Sequence, residues 1–119
     1  MSQFTLSWPP QQLSPNSRHH WSVLAKAKRV YRTACWVATR EQRVVVPEGP
    51  LALTLCFCPP TKRRYDRDNL VARMKAGLDG VAEALGIDDQ LFVVLAVKMG
   101  PVVANGAVMI QIKGDEHGY

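Results

Sequence analysis

The chain has 119 residues, enough for one domain with a modest core. Its 47% hydrophobic and 21% charged content is that of an ordinary globular protein and excludes global disorder. Fifteen Lys and Arg against ten Asp and Glu give a net charge of +5, which favours polyanionic partners such as nucleic acid or an acidic surface. No apolar run reaches the ~18 residues of a membrane span, so no membrane partner is expected. Met1-Ser2-Gln3-Phe4 has no basic segment followed by an apolar one, which argues against a signal peptide. Three cysteines, Cys35, Cys56 and Cys58, fit reduced thiols in a cytoplasm better than a disulfide framework. Cys56-x-Cys58 has no second pair to complete a zinc site.

In chain order, Phe4, Leu6 and Trp8 alternate with polar residues as a first strand, which Pro9-Pro10 ends. Residues 11–17, QQLSPNS, are turn chemistry. A helix is expected from about Trp21 to about Gln42, with Leu24, Ala27, Tyr31, Ala34 and Ala38 on its apolar face and Lys26, Lys28 and Arg29 elsewhere. Leu51, Leu53, Leu55 and Phe57 alternate as a second strand, and a short extra strand is conceivable at Val44–Val46. After the charged loop TKRRYDR, Asp68 is a good N-cap for a helix running to Leu85, and Gly86 suits the position after its end. Leu70, Met74, Leu78, Val81 and Leu85 fall within about 80° of one another on its core face. Phe92–Val97 reads as a buried strand and Ala107–Ile112 as another, with a turn at Asn105-Gly106 between them. The order β-α-β-α-β-β predicts a single α/β domain over residues 1–119, with a small mixed sheet and two main helices.

The chemistry concentrates in Tyr65-Asp66-Arg67-Asp68-Asn69-Leu70, followed by Lys75, Asp79 and Asp88-Asp89. D-x-D before a helix puts two carboxylates on one short stretch, and Mg²⁺ commonly takes one or two carboxylates plus waters and phosphate oxygens. Asp89 lies past the far end of a helix about 26 Å long. It joins Asp66 only if residues 86–90 turn back along the helix, or if a second subunit supplies it. Asp68, Lys75 and Asp79 share one stripe of that helix, where Lys75 would bind a phosphate oxygen or stabilise developing charge. The plainer reading of Lys75 and Asp79 is an i,i+4 ion pair.

The run Lys62-Arg63-Arg64-Tyr65-Asp66-Arg67-Asp68-Asn69-Leu70, a helix with Lys75-x-x-x-Asp79, and Gly86-Ile87-Asp88-Asp89 together resemble the RusA family of Holliday-junction resolvases. Ser7-Trp8-Pro9-Pro10 and Leu13-Ser14-Pro15-Asn16-x-Arg18-x-His20-Trp21 are similar to its phage and prophage branch. The resemblance spans Trp8 to about Lys98 and implies a RusA-like fold. It implies Asp66, Asp68 and Asp89 as metal ligands, with Mg²⁺ as cofactor and Mn²⁺ as a possible substitute. Lys75 corresponds to the family's catalytic lysine, displaced by about one helical turn; Arg73 is the rival. The implied activity is paired, symmetric nicking of four-way DNA junctions in recombination and repair. Two coordinated nicks imply a homodimer, and Lys62, Arg63, Arg64, Arg67, Asn16 and Arg18 are the expected DNA contacts. The related alternatives are a nuclease for flaps or replication forks and a non-catalytic DNA-binding module with a degenerate site.

Overall fold

A computed structural model of the chain describes residues 2–115. It is a mixed α/β unit in which helices cover one face of a four-stranded sheet. The strands are β1 (Ser2–Ser7), β2 (Leu51–Cys58), β3 (Phe92–Met99) and β4 (Ala107–Gly114). The helices are α1 (Trp21–Glu41), α2 (Arg67–Arg73) and α3 (Lys75–Leu85), with 3-10 turns at Gln11–Leu13 and Asp89–Leu91.

The sheet order is β1-β4-β2-β3, with β4 antiparallel to β1 and β2, and β3 parallel to β2. Asn105 and Gly106 do turn, both with positive φ, but the turn does not make a hairpin. β4 pairs with β2 instead of β3, so residues 100–106 cross the end of β2. Phe4, Leu6, Leu51, Leu53, Leu55, Phe57, Val108, Ile110 and Ile112 form the buried sheet face. Against them pack Tyr31 and Cys35 of α1, with Leu70, Met74 and Val81 of α2 and α3. Each fully buried Leu, Ile, Val or Phe contributes about 1.5–3 kcal/mol.

Four local expectations change. First, the buried face of α1 is Tyr31, Cys35 and Thr39. Leu24, Ala27 and Ala38 pack against the core as expected, Ala34 is exposed, and Tyr31 donates its hydroxyl to the Ser7 carbonyl at 2.7 Å. Burial holds the Tyr31 hydroxyl far above its ordinary pKa and pushes the Cys35 thiol up to about 11. Second, the helix expected from Asp68 to Leu85 begins one residue earlier and is interrupted at Met74. Third, β3 is half exposed, because it lies at the edge of the sheet. Fourth, residues 44–46 form no strand.

α1 and α3 meet closely. A Cβ on Gly80 would lie 2.2 Å from the Arg32 carbonyl oxygen, and one on Gly77 would lie 2.6 Å from the Tyr31 ring. Glycine at both positions lets the two backbones approach, and the Arg32–Glu83 ion pair at 2.7 Å spans the exposed side of the same contact.

Candidate functional site

Pro59-Pro60 ends β2, and the chain then runs through Lys62, Arg63 and Arg64 to α2. Asp66, not Asp68, caps that helix. Its Oδ1 accepts the Asp68 N–H at 2.9 Å and the Asn69 N–H at 3.3 Å, satisfying two otherwise orphaned donors. Asp66 and Asp68 are both exposed, as are Lys62, Arg63, Arg64 and Arg67. The Arg63 guanidinium stacks 5.1 Å from the Tyr65 ring centre.

Asn69 organises the corner behind these acids. Its Nδ2 donates to Ser14 Oγ at 2.7 Å, and its Oδ1 accepts from Arg73 Nε at 2.9 Å. The Leu13-Ser14-Pro15-Asn16 segment is thereby joined to the D-x-D-N segment. Arg73 is buried, and its desolvation lowers its pKa, with nearby Arg63 adding to the shift. Its place is thus structural, beside Asn69 and Tyr65. Nothing in the sequence marked Asn69 as the organiser; its position directly after D-x-D was the available signal.

Asp89 lies at the other end of the parallel β2–β3 pair. It sits three residues before Phe92, which is level with Leu51 at the start of β2. Asp66 follows the far end of β2, a strand about 23 Å long at 3.3 Å per residue. Residues 86–91 do turn back, but only as far as Asp79. Asp79 and Asp89 are hydrogen-bonded to each other, with Lys75 close to both. Partial burial, then the hydrogen bond to Asp89, raise the Asp79 pKa, while Lys75 opposes the shift. The same bond lowers the Asp89 pKa. Lys75 is exposed and stands with Asp79 as the helical stripe required. Asp68 is absent from that grouping, because the interruption at Met74 breaks the stripe.

Asp66 and Asp68 are therefore together, and Asp79, Asp89 and Lys75 are together, but the two sets are apart. Among the described residues, no three His, Cys, Asp or Glu side chains are grouped so as to hold a metal ion. Asp66 and Asp68 are thus not grouped with Asp89 among the described residues.

Lys75 and Asp79 open onto a groove of about 980 Å³ between α1, the 12–19 segment and α2–α3. Lys28, Arg29, Arg32 and Arg73 line it against Asp79 and Glu83, and Leu24, Trp36 and Ala76 give it an apolar floor. Asn16, Arg18, His20 and Trp21 are exposed on the approach to α1. His20 has a structural task there, since its Nδ1 accepts the Ser22 N–H at 3.2 Å and caps α1. Cys35, Cys56 and Cys58 are free thiols. No described helix is long and apolar enough to cross a membrane.

No family model matches the chain. An uncharacterized protein from Xylella fastidiosa (strain Temecula1 / ATCC 700964) is 42% identical to it over 118 residues, covering 96% of this chain and 77% of that protein.

Proposed function

We propose that this chain, which belongs to the same family as the Xylella fastidiosa protein, is a divalent-metal-dependent endonuclease that acts on branched DNA, with the four-way junction as its substrate. The observation that carries the reading is the setting of its carboxylates. Asp66 and Asp68 stand exposed in a run of exposed bases, Lys62, Arg63, Arg64 and Arg67. Asp79 and Asp89 stand with Lys75 at the mouth of a predominantly basic groove. Acids placed among phosphate-binding cations repel a DNA backbone unless a cation intervenes, so a surface meant only to hold DNA gains nothing from them. Mg²⁺, replaceable by Mn²⁺, is the ion this chemistry calls for.

The basic residues make sequence-independent, salt-dependent contacts with phosphates. Symmetric cleavage of two strands requires two sites, which a homodimer of 13.2 kDa chains supplies. The biological setting that fits is recombination and repair in a bacterial or phage-infected cytoplasm.

One finding favours a second reading. The three aspartates do not converge in one chain, as would hold for a DNA-binding module that has lost catalysis. The test is incubation with a synthetic four-way junction, a 5′-flap and a linear duplex, each with and without Mg²⁺. Paired nicks placed symmetrically across the junction, dependent on Mg²⁺, are expected. A single cut near the flap branch would reassign the substrate. Tight junction binding without cleavage in Mg²⁺ or Mn²⁺ would establish the non-catalytic module.

A further inference from the structure

We infer that Cys56 and Cys58, with Met109 beside them, form a binding site for a soft, thiophilic monovalent cation, Cu(I). The site lies on the face of the sheet that the helices leave uncovered. It is independent of the endonuclease reading.

The strand pattern puts the three sulfur-bearing residues together. Leu51, Leu53, Leu55 and Phe57 of β2 are buried in the core. Cys56 and Cys58 therefore point to the opposite face, since side chains alternate along a strand. Met109 of β4 stands directly opposite Cys56. Such cross-strand neighbours share a face, with Cβ atoms about 4.5–5.5 Å apart. Lys98 of β3 is level with Cys56 on its other side. Cys56 and Met109 are half-buried and Lys98 is exposed, so the group can be reached from solvent. The β1 edge of the sheet, by contrast, is occupied from within the chain. There the Thr5 N–H donates to Gln42 Oε1 at 2.9 Å, and Gln42 Nε2 donates to the Thr5 carbonyl at 2.7 Å.

Gly100 brings the backbone across the two thiols. Its N–H donates to the Phe57 carbonyl at 2.8 Å, and the Val103 N–H donates to the Pro59 carbonyl at 3.0 Å, which pins this segment over the end of β2. A Cβ on Gly100 would lie 2.8 Å from Cys58 Sγ and 3.0 Å from Cys56 Sγ. Both sulfurs therefore face one point, close to the reach of a metal–thiolate bond, about 2.3 Å for zinc. Glycine puts no side chain there. The two thiols are near enough to share a hydrogen bond. Burial, then the neighbouring Cys56, hold the Cys58 thiol above its usual pKa, so it keeps its proton until a cation displaces it.

The donor set selects the ion. Thiolates and a thioether are soft ligands, which favour Cu(I) over the hard cations that seek oxygen. Zn²⁺ would take four ligands in a tetrahedron. Among the described residues, no third His, Cys, Asp or Glu is grouped with the pair. Two thiolates around a monovalent cation leave one net negative charge, and the Lys98 ammonium on the adjacent strand is placed to offset it. Each thiol gives its proton to solvent as its sulfur takes the cation, so two protons leave for each ion bound. Cys35 takes no part, since it is buried between α1 and the core on the other face of the sheet.

The test uses the full chain and Cu(I) supplied anaerobically as its bathocuproine disulfonate complex. The wild type should withdraw one Cu(I) per chain from the chelator, release two protons for it in weakly buffered solution, and melt at a higher temperature when loaded. X-ray absorption should show sulfur ligands around the copper. Cys56→Ser and Cys58→Ser should each bind Cu(I) about 100-fold more weakly, the loss that follows when a two-point grip becomes one-point. Met109→Leu, which conserves volume, should weaken binding by less than either, and Cys35→Ala should bind as the wild type does. Circular dichroism checks that each variant is folded. If Cys58→Ser unfolds because its buried hydroxyl finds no partner, the half-buried Cys56→Ser decides. Wild-type affinity in a folded Cys56→Ser chain, a loss confined to Cys35→Ala, or tighter binding of Zn²⁺ than of Cu(I) overturns the inference. So does a wild type that leaves the copper with the chelator. No arm reads DNA cleavage, so the endonuclease assignment and this site stand or fall separately.

Discussion

Asp66 carries two tasks that substitution separates. As helix cap it accepts two backbone N–H groups, and asparagine caps about as well as aspartate. As the ligand proposed above it would need its charge. Asp66→Asn should therefore leave thermal stability near wild type while removing Mg²⁺-dependent cleavage. Asp66→Ala should lose cleavage and also about 1 kcal/mol of stability, measured by denaturant unfolding. Equal stability loss in both variants would detach the cap from the N–H bonds described. At the other end of the sheet, Asp79 shares a hydrogen bond with Asp89, and its raised pKa sets a sign. A carboxyl with a raised folded pKa supports folding while protonated, and that support is lost as pH rises from the usual carboxylate range through the folded value. Asparagine donates the same hydrogen bond without titrating. Asp79→Asn should thus melt higher than wild type near pH 7, with the difference closing as pH falls to about 3. A melting-temperature difference independent of pH would contradict the shared proton.

Among the elements, the contact between α1 and α3 is the tightest, and Gly80 is its limit. The Arg32 carbonyl that a Cβ would strike is backbone, which cannot step aside as a side-chain tip can. Gly80→Ala should cost roughly 1–3 kcal/mol and lower the melting temperature by something on the order of 5–10 °C. Glu83→Ala, on the exposed side of the same contact, should cost less than about 1 kcal/mol, since both partners of its ion pair are half exposed. Equal losses from the two would show that the helices can part. The strands were readable because alternation at β1, β2 and β4 directly reports which face is buried. β3 misled for the same reason: its continuous apolar run suits a strand covered on both faces, and equally an edge awaiting a partner. The helix interruption at Met74 had no proline to announce it, and the tertiary bond from Tyr31 to Ser7 is one that periodicity does not encode. The D-x-D pair, Lys75 and Asp79 were legible as local patterns. The separation of Asp66 from Asp89 follows from strand order, which a linear reading does not supply.

At the scale of the whole molecule, the sheet presents one closed side and one open side. The β1 side is closed to a further strand by a contact within the chain. Gln42 closes it, with its amide occupying the position a fifth strand would take beside β1. Without it, β1 would offer an unpaired edge to another strand. Gln42→Ala should raise concentration-dependent self-association, visible in sedimentation velocity, while Gln42→Glu, unable to donate to the Thr5 carbonyl, should do so more weakly. One side chain at the end of α1 thereby serves as the sheet's missing neighbour and separates a finite sheet from an open-ended ribbon.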